Sequence, residues 1–112
     1  MSAITMRLNG RTTVLTLTAS ASAAIAISPN TNVQNNYVAL WNTGDGVAAI
    51  EFSQTSTVPT PAIAASGYAG SLVLPPNMPF PVLVACPANT FYVKAIGDAT
   101  GSTLLITPAL SE

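Results

Sequence analysis

Histidine is absent from this 112-residue chain. With it go the commonest general base, the usual proton switch near neutral pH and the commonest metal ligand. Ser-His-Asp and Cys-His nucleophile arrangements are therefore excluded. Zinc would have to rely on one thiol and scattered carboxylates, which makes no recognisable site. Charge is almost as scarce. Charged residues make up 6% of the chain, with a net charge of −1, against about 25% charged residues in a typical soluble domain. Arg7, Arg11 and Lys94 are the only cations, too few for the basic stripe that neutralises several phosphates, so nucleic acid is not expected as a partner. There is no polybasic segment for anionic lipid and no apolar run long enough to span a membrane. Cys86 is the single cysteine, so no internal disulfide can form. It ends the apolar run VLVAC and reads as a buried, inert thiol, with an inter-subunit disulfide as the alternative.

What remains is a chain that is 49% hydrophobic and long enough for one core without staples. Residues 1–112 are read as a single domain whose surface is built from Thr, Ser, Asn, Ala and Pro. With so little net charge, copies scarcely repel one another and association is favoured. This suits a subunit covered by its neighbours, because obligate interfaces are depleted in charge. A small Ser/Thr-rich extracellular domain is the plainer alternative. Arg7 and Arg11 precede VLTLTASASAAIAI, and Ala21-Ser22-Ala23 resembles a cleavage site. Thr16, Thr18, Ser20 and Ser22 interrupt that run, so it is read as strand and not as a leader, with the N-terminus held against the fold.

Turn residues and alternation divide the chain into short strands. Asn9-Gly10 separates Ile4–Leu8 from RTTVLTLT and predicts a type I′ hairpin. Leu15 and Leu17 share one face of the second run, and Val14, Thr16 and Thr18 the other. AAIAIS stops at Pro29, which has no N–H for a ladder. PNTNVQNN is loop chemistry. In NYVALWN, Val38 and Leu40 oppose Tyr37, Ala39 and Trp41. Thr43–Gly46 is read as a turn from which VAAIEFSQ pairs back, with Ala48, Ile50 and Phe52 on one face and Glu51 on the other. The stretch Thr55–Gly70 is a long loop, and such loops are usually functional or interfacial. SLVLPP and VLVAC follow, separated by the proline-rich turn Pro75–Pro81. Pro87-Ala88-Asn89 turns the chain into TFYVKAIG. Asp98–Gly101 reads as a hairpin loop leading to STLLITP, with Leu104 and Ile106 on one face. About eight short strands without helical periodicity predict an all-β, antiparallel two-sheet sandwich, a jelly roll or related Greek key. An immunoglobulin-type sandwich is the runner-up, without its Cys…Trp…Cys pattern.

No catalytic, cofactor-binding or metal-binding residues are assigned. Asp45 and Asp98 sit at turn tips beside glycines, where acidic residues usually serve turn conformation. Asp45 with Asn42 offers oxygen ligands for calcium, but they do not cluster convincingly. Glu51 and Lys94 are mid-strand and read either as a cross-strand couple or as a register-fixing contact between subunits. Thr43-Gly44-Asp45-Gly46 precedes no helix and is not a phosphate loop. Tyr37 and Trp41 share a strand face. Core packing is the favoured reading for them, with a sugar platform or a partner hot spot as alternatives.

The order of Trp41-Asn42-Thr43-Gly44, VAAIEF, the Ser/Thr/Pro/Ala loop, SLVLPP, FYVKAIG and STLLITP resembles the short β-sandwich proteins among phage virion structural proteins. The resemblance spans residues 37–108, roughly two-thirds of the chain. It implies a capsid decoration or cement subunit on the outer capsid surface, a homotrimer bridging major capsid subunits. Met1–Arg7, Thr55–Gly70 and Pro75–Pro81 are the segments expected to make contacts, the last because its rigidity lowers the entropy lost on docking. A small tail, collar or adhesion module binding a host glycan through Trp41 or Tyr92 is the alternative. An extracellular domain with an unspecified partner is the third reading, and an enzyme the least favoured.

Overall fold

The computed structural model describes residues 6–30, 36–63, 70–85 and 90–111. The expectations for Met1–Thr5, for the centre of the long loop (64–69), for Cys86 and the Pro87–Asn89 turn, and for the loop residues 31–35 lie outside the described residues. Nine strands form: β1 (Met6–Leu8), β2 (Thr13–Leu17), β3 (Ile25–Ile27), β4 (Asn36–Asn42), β5 (Ala48–Ser53), β6 (Leu72–Leu74), β7 (Val82–Ala85), β8 (Phe91–Gly97) and β9 (Ser102–Ser111). One sheet runs β1-β9-β4-β7, with β2 also on β9; the other runs β3-β8-β5-β6. Every pairing is antiparallel. The pairs nest as in one long hairpin: β5 with β6, β4 with β7, β3 with β8, and β1 and β2 with β9. Rolled up, successive pairs fall alternately in the two sheets, which is a jelly roll whose first strand is broken in two. This break makes nine strands where about eight were expected.

Rolling also changes what the short turns do. Thr43–Gly46 and Asp98–Gly101 were expected to close hairpins, yet β4 and β9 lie in one sheet and β5 and β8 in the other. Both turns are corners that carry the chain between sheets. Among the described residues, the only consecutive strands that pair are β5 and β6, across the long loop.

Asn9-Gly10 is not a hairpin either. β1 and β2 lie end to end along the same edge of β9, with Leu8 opposite Ala109 and Thr13 opposite Ile106. Residues 9–12 therefore face only Thr107 and Pro108, and the chain bulges. Pro108 explains the bulge. In an antiparallel strand a residue's N–H and C=O point to the same side. The Pro108 carbonyl accepts from Asn9 N–H at 2.9 Å, so its missing donor also faces β1 and β2, where the detour removes the need for it. Gly10 lies against the proline ring; a Cβ there would come within 2.9 Å of Pro108 Cγ.

Alternation places the core as the sequence implied. Leu15, Leu17, Val38, Leu40, Leu104 and Ile106 from the first sheet meet Ile27, Ala48, Ile50, Leu74, Phe91, Val93 and Ala95 from the second. Phe91 is wholly buried and stacks at a tilt on Phe52, with ring centroids 5.9 Å apart.

Candidate functional site

Three features have a defined geometry. The first is the outer face of the sheet that contains β9. Residues directly opposite one another make rows across it. One row is Val14, Leu105 and Trp41; the next contains Thr107, Ala39 and Leu83; a third contains Leu8, Ala109, Tyr37 and Ala85. Thr16 stands opposite Thr103, and the hydroxyls of Thr12 and Thr107 share a hydrogen bond of 2.7 Å. No charged side chain occupies these rows. Between them lies a cleft of about 370 Å³ lined by Leu8, Gly10, Thr12, Ala39, Trp41, Pro81, Leu105 and Thr107. Trp41, expected as core, is thus half-buried in the wall of an outer cleft, because Val38 and Leu40 take the inward positions of β4. Its indole N–H donates to the Met78 carbonyl at 2.8 Å, which fixes the ring.

A second groove of about 410 Å³ lies at the corner end, lined by Thr16, Thr18, Gly44, Asp45, Thr100 and Thr103 among others. Among the described residues that line the cleft of Trp41 there is neither Asn nor Asp. Tyr92 lies opposite Ala26 and Ser53 on the outer face of the other sheet.

Third, Asn42 is fully buried and organises the corner. Its side-chain amide donates to the Gly46 carbonyl at 2.9 Å and the Pro75 carbonyl at 3.0 Å, with a longer contact to Leu74 O at 3.4 Å. Its Oδ1 accepts from Gly44 N–H at 3.1 Å. Its backbone carbonyl accepts from Met78 N–H, and the Gly44 carbonyl from Asn77 N–H, each at 2.9 Å. With its amide committed inside, Asn42 is not a calcium ligand beside exposed Asp45. The role of Asn42 as a hub was missed in the sequence; the Asn-x-Gly spacing was its one signal.

Asp98 does what turn chemistry suggested and more. It accepts from Thr100 N–H and Gly101 N–H within its own corner, and from Val47 N–H of the facing corner at 3.1 Å. The Val47 N–H is the main influence holding its carboxyl below the usual carboxylate range; burial opposes this, and the Gly101 and Thr100 N–H groups reinforce it. Gly46 N–H donates to Gly101 O at 2.9 Å, so the two corners are sewn together. Glu51 and Lys94 stand directly opposite on β5 and β8. The Glu51 carboxylate accepts from Ser71 Oγ, which in turn accepts from Ala62 N–H at 3.0 Å, tying the end of the long loop to β5. Among the described residues, no three of Asp, Glu, His and Cys gather as a metal site would require.

No protein-family model, curated protein or solved structure matches this chain.

Proposed function

We propose that this protein is a non-enzymatic structural subunit that works by packing into a larger assembly, on the outer surface of a phage capsid. Its partners in this reading are the major capsid protein and copies of itself as a homotrimer. The observation that carries the proposal is the outer face of the β9 sheet, whose rows across β2, β9 and β4 carry no charged side chain and frame an apolar cleft. Such a face has a low desolvation cost and presents its Val14–Leu105–Trp41 row to a neighbour. An interface core is depleted in charge and enriched in aromatic residues in the same way. The Asn42 hub holds the Pro75–Pro81 turn rigidly beside this face, so little entropy is lost when the turn docks.

Co-sedimentation with shells of the cognate major capsid protein tests this. Wild type is expected to pellet with shells, and Leu105→Glu, which puts a carboxylate in the middle of the apolar row, to stay in the supernatant while keeping its fold. Wild type that never pellets would sink the reading. A second reading, glycan binding by an adhesion module, draws on one observation: Trp41 shares its cleft with the hydroxyls of Thr12 and Thr107. Saturable quenching or shift of Trp41 fluorescence by oligosaccharide, without shell binding, would favour that alternative.

A further inference from the structure

Three methionines occur in this chain, and one of them, Met78, is bonded into the Asn42 corner at three points. Its N–H donates to the Asn42 carbonyl at 2.9 Å. Its carbonyl accepts from the Trp41 indole N–H at 2.8 Å. Its thioether sulfur accepts from the Asn42 backbone N–H at 3.4 Å, as the weak acceptor that a thioether is. The side chain is packed against the core cluster as well. Solvent nevertheless reaches it: Met78 is half-buried, and its neighbours Asn77, Pro79 and Phe80 are exposed.

The turn that carries Met78 is held under strain. Asn77 has a φ of 51°, in the left-handed region that costs a residue other than glycine energy and persists only where the surroundings enforce it. The enforcing contacts are the Asn77 N–H to the Gly44 carbonyl, the Asn42 amide to the Pro75 carbonyl, and the three made by Met78. Pro79 comes next and has a fixed φ. Movement of Met78 is therefore passed along the chain toward Pro81, which lines the Trp41 cleft.

We propose that Met78 is a redox-sensitive latch: oxidation of its thioether to the sulfoxide by a peroxide releases the Pro75–Pro81 turn from Trp41 and Asn42, and reduction closes it again. In the forward step a sulfur lone pair attacks one oxygen of hydrogen peroxide, and the S–O bond forms as the O–O bond breaks. Sulfur is oxidised by two electrons. The departing hydroxide takes the proton left on the transferred oxygen and leaves as water. In the return step a dithiol gives up two electrons and two protons, becomes a disulfide, and the sulfoxide oxygen leaves as water. The corner does not accommodate the added oxygen. An oxygen on the lone pair facing Asn42 would itself sit about 2.9 Å from the amide nitrogen, so the sulfur behind it must withdraw from its present 3.4 Å. An oxygen on the other lone pair makes a strong dipole of a side chain that packs against the core cluster. Either way the side chain is displaced, and the backbone bonds of the same residue to Trp41 and Asn42 are lost with it. The latch does not depend on the assembly reading.

Peroxide titration of the full chain, followed by fluorescence, thermal melts and peptide mass mapping, tests the proposal. Trp41 is the single tryptophan, so the emission reports on its cleft. As sulfoxide accumulates at Met78, the emission is expected to shift to the red in proportion. The melting temperature should fall by about 4 °C, the shift that the net loss of one hydrogen bond produces in a domain of this size. Methionine sulfoxide reductases of both stereospecificities, with dithiothreitol, should restore emission and stability, whereas dithiothreitol alone should not. Met78→Leu conserves volume and should show neither shift under the same peroxide, whatever happens at Met1 and Met6. Full conversion of Met78 with emission and melting unchanged overturns the proposal, as does a Met78 that stays reduced until the protein unfolds. The same red shift in Met78→Leu, or a wild-type shift that the reductases do not reverse, also overturns it, by assigning the effect to Cys86 or to Trp41 itself.

Discussion

Replacing Asn42 by Ala should be the most damaging single polar substitution in this protein. The side chain is wholly buried and satisfies three backbone groups at short range: the carbonyls of Gly46 and Pro75, and the N–H of Gly44. Truncation leaves all three without their partner. A buried polar group stripped of its hydrogen bond costs about 1–3 kcal/mol, so taking the low end for each gives about 3 kcal/mol. A domain of this length is stable by only about 5–15 kcal/mol. At about 4 °C per kcal/mol, the melting temperature should fall by about 12 °C. Thermal and urea unfolding followed by circular dichroism measure it. Thr43→Ala is the matched control, since Thr43 is exposed and its hydroxyl reaches Thr103 O only at 3.4 Å; it should change stability by less than about 0.5 kcal/mol.

Asn42→Asp sharpens the test because it keeps the size and changes only the donors. A carboxylate still accepts from Gly44 N–H but faces two carbonyl oxygens with no proton to offer. Its folded pKa should therefore be raised, so the variant gains on wild type as pH falls and loses as pH rises through that value. An Asn42→Ala protein within about 0.5 kcal/mol of wild type would refute the hub account, because the stranded carbonyls would then have other partners.

Other outcomes follow from the same corners. Gly44→Ala puts a Cβ 2.6 Å from Ser102 Cα and Thr103 N, both backbone atoms; overpacking of this kind costs about 1–3 kcal/mol, read as a lower urea midpoint at unchanged slope. Asp98 has a depressed folded pKa, so its stabilisation is present above the unfolded carboxylate value of about 3.9 and is lost as pH falls through the folded value. Acid titration of the urea midpoint should show that loss in wild type, and Asp98→Asn should flatten it; an unchanged acid limb would remove Asp98 from the account. Ser102 Oγ, beside Gly97, is buried and has no hydrogen-bond partner among the described residues. Ser102→Ala should therefore stabilise by about 1 kcal/mol, and a destabilised variant would mean that an ordered water serves the hydroxyl.

The strands, their inward faces and the two-sheet arrangement were legible because alternation is a local signal that burial enforces. Leu15 and Leu17 face in and Val14 faces out for the same reason in sequence and structure. Pairing was not legible. A Gly/Asp turn of four residues serves a hairpin and a sheet-to-sheet corner equally, and nothing local in Thr43–Gly46 or Asp98–Gly101 tells which. The decisive contact, Val47 N–H to Asp98, joins residues far apart in the chain. Asn9-Gly10 misled for a related reason: the residue that requires the bulge, Pro108, lies near the other end of the sequence. Trp41 was assigned to the core by residue type, whereas its parity with Tyr37 and Ala39, opposite Val38 and Leu40, already placed it outside.

Scarcity of charge gains meaning once the few charges have positions. Asp98 is committed to the corner, Glu51 and Lys94 face each other on the outer surface of the second sheet, and Arg7 lies in β1 with Arg11 just before β2. Asp45 is exposed at the corner end. Among the described residues these positions leave the outer face of the β9 sheet without charge, and the Pro75–Pro81 turn borders it, with Pro81 lining the cleft. The Asn42 hub braces that turn through the Pro75 carbonyl and the Met78 N–H. For the assembly role proposed above, a corner held in this way would keep the turn in place beside the face, so that a neighbour meets both as one preorganised surface.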